Sequence, residues 1–161
     1  MRQAARHITQ FYDQFLAPSG LRTTQFSILA KLRELSPMTI NALATEMVMD
    51  RTTLGRNILP LERDGLVAIA PGRHDRRSKE LRITEAGEAS FRAGLKGWRN
   101  AQRRFEAAFG AERTANMRSL LHAVAATDFG QGSGSENSDR IRARLESVEI
   151  DAWSSAVDAS R

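Results

Sequence analysis

Between Thr39 and Gly65 the chain fits two helical periods with only a short turn between them. Ile40, Leu43, Ala44 and Met47 share one face of a first, short helix, and Leu54, Ile58 and Leu61 recur at i, i+4 and i+7 in a second. Thr39 and Asp50 are good N-caps for the two, and Gly65 ends the second. The turn falls at about Val48-Met49. Two short helices joined so tightly match a helix-turn-helix, in which the second helix enters the major groove of DNA with its N-terminal residues at the base edges. Pro60 conflicts with that second helix, because an interior proline clashes with the carbonyl four residues back, here that of Arg56. The expectation is a regular helix to about Leu59, then a kink or a loose final turn.

Burying Leu54, Ile58 and Leu61 leaves Arg51, Thr52, Thr53, Gly55, Arg56 and Asn57 on the opposite face. Arginine can pair bidentately with guanine and asparagine with adenine, while threonine offers a hydroxyl and a methyl group. The positive end of the helix adds a phosphate site. Alone, such a face reads equally well as solvated surface. The segment immediately downstream tips the balance. "LVAIA" and "KELRIT" are short strand-like runs, and in the second Leu81 and Ile83 alternate with Arg82, so one face is buried. The connection between them carries Arg73, Arg76, Arg77 and Lys79 with Asp75 among them. A hairpin after a reading helix is the wing of a winged helix-turn-helix, and its basic tip sits where a duplex backbone or minor groove would be. Residues 51–82 hold eight basic and four acidic side chains, a local balance of +4 in a chain of net charge +5. Most of the excess charge therefore lies in this one fifth of the sequence, which favours a polyanionic partner.

The flanks are helical. Ile8, Phe11, Tyr12, Phe15 and Leu16 form one face of an N-terminal helix that "APSG" breaks. A second helix from about Thr24 turns Ile28, Leu29, Leu32 and Leu35 inward and stops at Ser36-Pro37. Thr84 caps a long helix striped by Phe91, Leu95, Trp98, Gln102, Phe105 and Phe109. After Gly110, Met117, Leu120, Leu121 and Val124 mark a last helix. These helices carry more apolar surface than the small reading module can cover, which favours packing against a second copy. The fold class expected is mainly α with a small β-hairpin wing: a winged helix-turn-helix plus a helical dimerisation domain. Residues 1–128 form one domain, with the reading module at about 22–84 and dimerisation helices at about 2–17 and 84–128. Residues 129–161, opening with "GQGSGSENS", read as a flexible linker and an acidic tail.

Other functions find little support. There is no cysteine, which excludes a disulfide framework and a thiolate zinc site. His7, His74 and His122 are scattered, and no carboxylate pair or histidine cluster has metal-ligand spacing. No enzymatic role and no cofactor is expected. No apolar run approaches the roughly 18 residues of a membrane span, so a cytoplasmic protein without membrane contact is the simple expectation.

The stretch "INALATEMVMDRTTLGRNILPLERDGLVAIAPGRHDRRSKELRITEAG" resembles the multiple-antibiotic-resistance regulator (MarR) family of bacterial transcription factors. The residues that carry the resemblance are Leu43-Ala44, Asp50 to Leu54, Leu61-Glu62-Arg63, Gly65-Leu66-Val67, Asp75-x-Arg77, Leu81-x-x-Thr84 and Ala86-Gly87. "YDQFLAPSGLRTTQFSILAKL" before it and "WRNAQ" after it resemble one branch of the family, so the match covers about residues 5–128. The resemblance implies a homodimeric, usually repressing regulator of double-stranded DNA at a pseudopalindromic operator, released by a small aromatic or carboxylated effector. It makes Arg77 the wing arginine that reaches the minor groove and Asp75 the brace of the wing. Thr39, Arg63 and Lys79 complete the DNA-facing set with Arg51, Thr52, Thr53, Arg56, Asn57, Arg73 and Arg76. By the same analogy an effector would sit among His7, Phe11, Tyr12, Phe26 and Arg33, although Phe11 and Phe26 also read as plain core. The rival readings are a winged-helix protein-interaction module and a non-specific architectural DNA binder.

Overall fold

A computed structural model describes residues 1–72 and 78–127 of the 161-residue chain. Its elements run α1 (Arg2–Leu16), a 3-10 turn (Ala17–Ser19), α2 (Thr23–Leu35), β1 (Met38–Thr39), α3 (Ile40–Glu46), α4 (Arg51–Arg63), β2 (Val67–Pro71), β3 (Lys79–Ile83), α5 (Glu85–Phe109) and α6 (Ala111–Ala126). The result is the expected mainly α fold with a small sheet. The chain divides into two compact units, Met1–Phe105 and Glu106–Arg161.

In the first unit, α1 stops where Pro18 and Gly20 demand it, with Gly20 in the left-handed region at φ 73°. The Asp13 carboxylate on α1 then accepts two hydrogen bonds from Thr23, one from the backbone N–H and one from the hydroxyl, both at 2.7 Å. An orphan N–H at the start of α2 is thereby satisfied by a side chain from another helix. Phe26, Ile28, Leu29 and Leu32 of α2 are fully buried and meet Leu43 of α3, Leu54, Ile58 and Leu61 of α4, and Leu81 of β3 in one core. Each such side chain contributes about 1.5–3 kcal/mol when withdrawn from water.

The sheet is larger than expected. Met38 pairs with Leu81 and Thr39 with Glu80, which makes the strand order β1-β3-β2, all antiparallel. A two-residue strand is too short to show period-2 alternation, so the hairpin alone was legible in the sequence. Pro60 also behaves differently from expectation. The helix runs through it to Arg63, and the carbonyl of Pro60 accepts the capping N–H of Asp64 at 2.9 Å. The tertiary burial of Ile58 and Leu61 on either side holds the last turn, at the cost of the hydrogen bond that Pro60 cannot donate.

The turn between α3 and α4 contains a non-glycine residue at positive φ, Val48 at 50°. The N–H of Met49 reaches back to the carbonyl of Ala44 at 2.9 Å, which closes α3 in the manner of a left-handed C-cap. A left-handed residue other than glycine costs about 1–2 kcal/mol. Val48 carries that cost and is 76% exposed.

Helix α5 approaches backbone at two glycines. A Cβ at Gly87 would lie 2.1 Å from the carbonyl oxygen of Leu66, and one at Gly97 would lie 2.2 Å from that of Phe15. At Gly55, in the middle of α4, a Cβ would meet nothing within 4 Å. The second unit, described to residue 127, contains the end of α5 and α6. Gly110 at φ 95° separates the two helices, and Arg118 and Glu106 pair at 3.0 Å.

These contacts predict opposite outcomes for one substitution. Gly87→Ala should destabilise the protein by about 1–3 kcal/mol, because a carbonyl has to move. Gly55→Ala should stabilise it by up to about 1 kcal/mol through helix propensity. Denaturant titration of both variants checks the pair.

Candidate nucleic-acid interface

The outward face of α4 is built from its cap. Asp50 sits in extended backbone before α4, and its carboxylate accepts the backbone N–H of Thr53 at 2.9 Å and the Thr53 hydroxyl at 2.5 Å. Those two bonds, the hydroxyl first, hold the Asp50 carboxyl below the usual carboxylate range. Thr53, expected to face a duplex, thus has its hydroxyl turned to the cap. Asn57 is likewise engaged, its amide nitrogen donating to the carbonyl of Thr53 at 2.8 Å. This bond leaves its carbonyl oxygen and its second N–H uncommitted.

Arg51, Thr52 and Arg56 are exposed on α4, opposite the buried Leu54, Ile58 and Leu61. Arg63 is exposed too, but its guanidinium lies on Asp64, with Nε to Oδ1 at 2.8 Å. That hydrogen bond holds the Asp64 carboxyl below its ordinary range. Thr39 is half-buried, and its hydroxyl oxygen accepts the N–H of Ala42 at 3.1 Å, so its first role is to cap α3. Lys79 is exposed at the start of β3. Gly72 N–H donates to the carbonyl of Ser78 at 2.8 Å, which closes the base of the hairpin. Arg73, Asp75, Arg76 and Arg77 lie outside the described residues, as do residues 129–161.

One residue on the outward face escaped the sequence reading. Leu59 is 63% exposed and follows Thr52 and Arg56 at i+7 and i+3, with Arg63 one further turn along. The helical spacing from Thr52 was the available signal.

The expected effector residues separate by burial. Phe26 is fully buried, stacked between Phe91 at 4.9 Å and Trp98 at 5.2 Å. Tyr12 is buried against Trp98 at 4.6 Å, and half-buried Phe11 touches Tyr12, Phe15 and Phe105. Arg33 bonds Glu88 at 3.1 Å and lies over the Phe91 ring at 5.2 Å. These five positions therefore do not form one group: four are linked through Phe91 and Trp98, while His7 is exposed on the first turns of α1.

With this geometry in place, comparison with known proteins is direct. A MarR family sequence profile matches residues 21–79. The M. tuberculosis transcriptional regulator MosR is 35% identical and superposes with a TM-score of 0.65 over 78% of this chain and 93% of that one. The chain belongs to the MarR family. The same regulator in complex with DNA is 37% identical, at a TM-score of 0.66 over 78% and 92% of the two chains. Among curated relatives, the HTH-type transcriptional regulator YwoH of Bacillus subtilis (strain 168) is 32% identical over 56% of this chain and 66% of its own length. The transcriptional activatory protein BadR of Rhodopseudomonas palustris is 35% identical over 53% of this chain and 50% of its own. The chain thus spans between half and two thirds of the curated relatives it matches. The matched residues run from just before α2 to the start of β3, and β1 is the third strand of the sheet that they contain.

The cap gives a pH prediction for this MarR-family fold. A carboxylate held low in the fold contributes stability above its unfolded value of about 3.9, and loses it as pH falls through the lower folded value. Asn also caps helices but does not titrate. Between about pH 5 and pH 3, wild type should therefore lose more stability than Asp50→Asn, with the pH range set by that lowered carboxyl. Thermal unfolding of both across that range measures the difference; parallel curves would remove Asp50 as its source.

Proposed function

We propose that this chain is a non-enzymatic, sequence-specific regulator that reads double-stranded DNA with α4 and acts as a homodimer on a pseudopalindromic operator. The observation that carries this reading is the division of α4 into two faces. Leu54, Ile58 and Leu61 lock one face into the core, and Arg51, Thr52 and Arg56 project from the other at the capped, positive end of the helix. MosR, at 37% identity, is solved with DNA bound. Arg51 and Arg56 suit guanine or phosphate, and Thr52 suits phosphate or a thymine methyl. In the wing, Arg77 enters the minor groove, Asp75 braces the loop, and Arg73, Arg76 and Lys79 hold the backbone.

Homodimerisation is supported by α6, where Leu120, Leu121 and Val124 are 68%, 56% and 52% exposed. Apolar side chains grouped on one helix mark an interaction surface more readily than scattered ones do. Repression follows from simple occupation of the operator. A small aromatic or carboxylated effector is supported by the cluster of Phe11, Tyr12, Trp98 and Phe26, with Arg33 over Phe91 as a polar group at its border.

Selection from randomised duplexes should return one pseudopalindrome, with a half-site spacing near one helical turn, about 34–36 Å. Recovery of no preferred sequence would leave a non-specific binder or a protein-interaction module. Arg56→Ala should relax base preference at one position per half-site. Arg77→Ala should weaken binding to every duplex and flatten the salt dependence by about 0.9 in log–log slope. In sedimentation equilibrium the wild type should be a dimer, and Leu120→Asp with Leu121→Asp a monomer of unchanged helical content.

A further inference from the structure

Along α4, Arg51, Gly55, Leu59 and Arg63 stand four residues apart, so they form one row on the helix surface. The two middle members are unusual on a face meant for a polyanion. Leu59 is an aliphatic side chain left 63% exposed in the reading stripe with Thr52 and Arg56. Gly55 sits mid-helix, where glycine costs about 1 kcal/mol relative to alanine. No packing in the described chain requires it, since a Cβ there would meet nothing within 4 Å. Gly87 and Gly97 differ in kind, because each of them yields to a carbonyl. The row therefore presents an apolar knob beside a hollow, with an arginine at either end.

What fits is set by the surrounding charge. Arginines bracketing the pair favour a polyanion over an apolar protein surface. Among the groups on the floor of a major groove, the apolar one is the C5-methyl of thymine. We propose that Leu59, with the hollow at Gly55, receives a thymine 5-methyl group and makes this row a specificity-determining contact. This inference rests on α4 being the reading helix. Leu59 would then distinguish thymine from cytosine by burying a methyl group, while the missing side chain at Gly55 lets the helix approach the base edges.

The test uses the full chain and the duplex that selection returns. Each thymine in turn is replaced by deoxyuridine, which keeps base pairing and removes only the methyl group. At one position per half-site this should weaken wild-type binding about three- to fivefold, the worth of one buried methyl group. Leu59→Ala should bind the thymine duplex more weakly and show no loss at that same position. Gly55→Ala, which the fold tolerates, should also weaken binding to the selected duplex. A preferred duplex whose deoxyuridine scan is identical for wild type and Leu59→Ala would overturn this inference and leave operator reading intact. Leu59→Ala that leaves DNA binding unchanged but disperses the dimer would assign Leu59 to a second copy, and would equally overturn it. Recovery of no preferred duplex would remove operator reading itself, and this contact with it.

Discussion

The burial of Leu54, Ile58 and Leu61 sets the rotation of α4 about its own axis, and every property of the outward face follows from that rotation. Three fully withdrawn side chains at about 1.5–3 kcal/mol each outweigh the poor local chemistry of this helix. That chemistry includes a glycine in the middle, a proline in the last turn and a strained valine before the start. The core that receives them comes from α2, α3 and β3, so the outward face of α4 is held by tertiary contacts and not by helix propensity.

Around that helix, side chains and backbone divide the labour of fixing the neighbours. Asp13 anchors the start of α2, Thr39 caps α3, Asp50 caps α4, and the Thr84 hydroxyl accepts the N–H of Gly87 at 3.0 Å while donating to the carbonyl of Gly65 at 2.7 Å. Each cap satisfies an orphan donor that would otherwise have to stay in water. Gly87 then brings α5 against the backbone at Leu66, just before β2. The surface ion pairs add little by comparison. Arg63 with Asp64 is well exposed and Arg33 with Glu88 partly so, and such surface pairs contribute at most a fraction of a kcal/mol in salt. Their importance is in what they occupy: two of the Arg63 guanidinium nitrogens are already engaged by Asp64.

Local signals in the sequence were strong where they repeat or cap. The apolar periods of α2 and α4 and the caps Thr39, Asp50 and Thr84 concern neighbours within a few residues, and the structure has each of them, while of the alternating pair in β3 Leu81 is buried and Ile83 only partly so. The two-residue strand β1 carries no period to detect, and its pairing with β3 spans more than forty residues of sequence. The last turn of α4 was misjudged because proline's local cost was visible and the burial of Leu61 against the rest of the core was not. Among the expected contact residues, Thr53 and Asn57 turned out to be engaged within α4, which depends on side-chain rotamers that spacing does not encode.

The sequence by itself determined the helices and the hairpin around α4, the polarity of α4 and the family, because each rests on short-range pattern. Tertiary structure alone decided which outward groups are open. It closed Phe26 into an aromatic stack, placed Arg33 on Glu88, and left Leu59 in solvent beside the hollow at Gly55. The physical reason is that burial belongs to the whole surroundings of a side chain. Leu59 and Ile58 are adjacent aliphatic residues with the same local pattern, and about a hundred degrees of helical rotation puts one in the core and the other on the face turned outward.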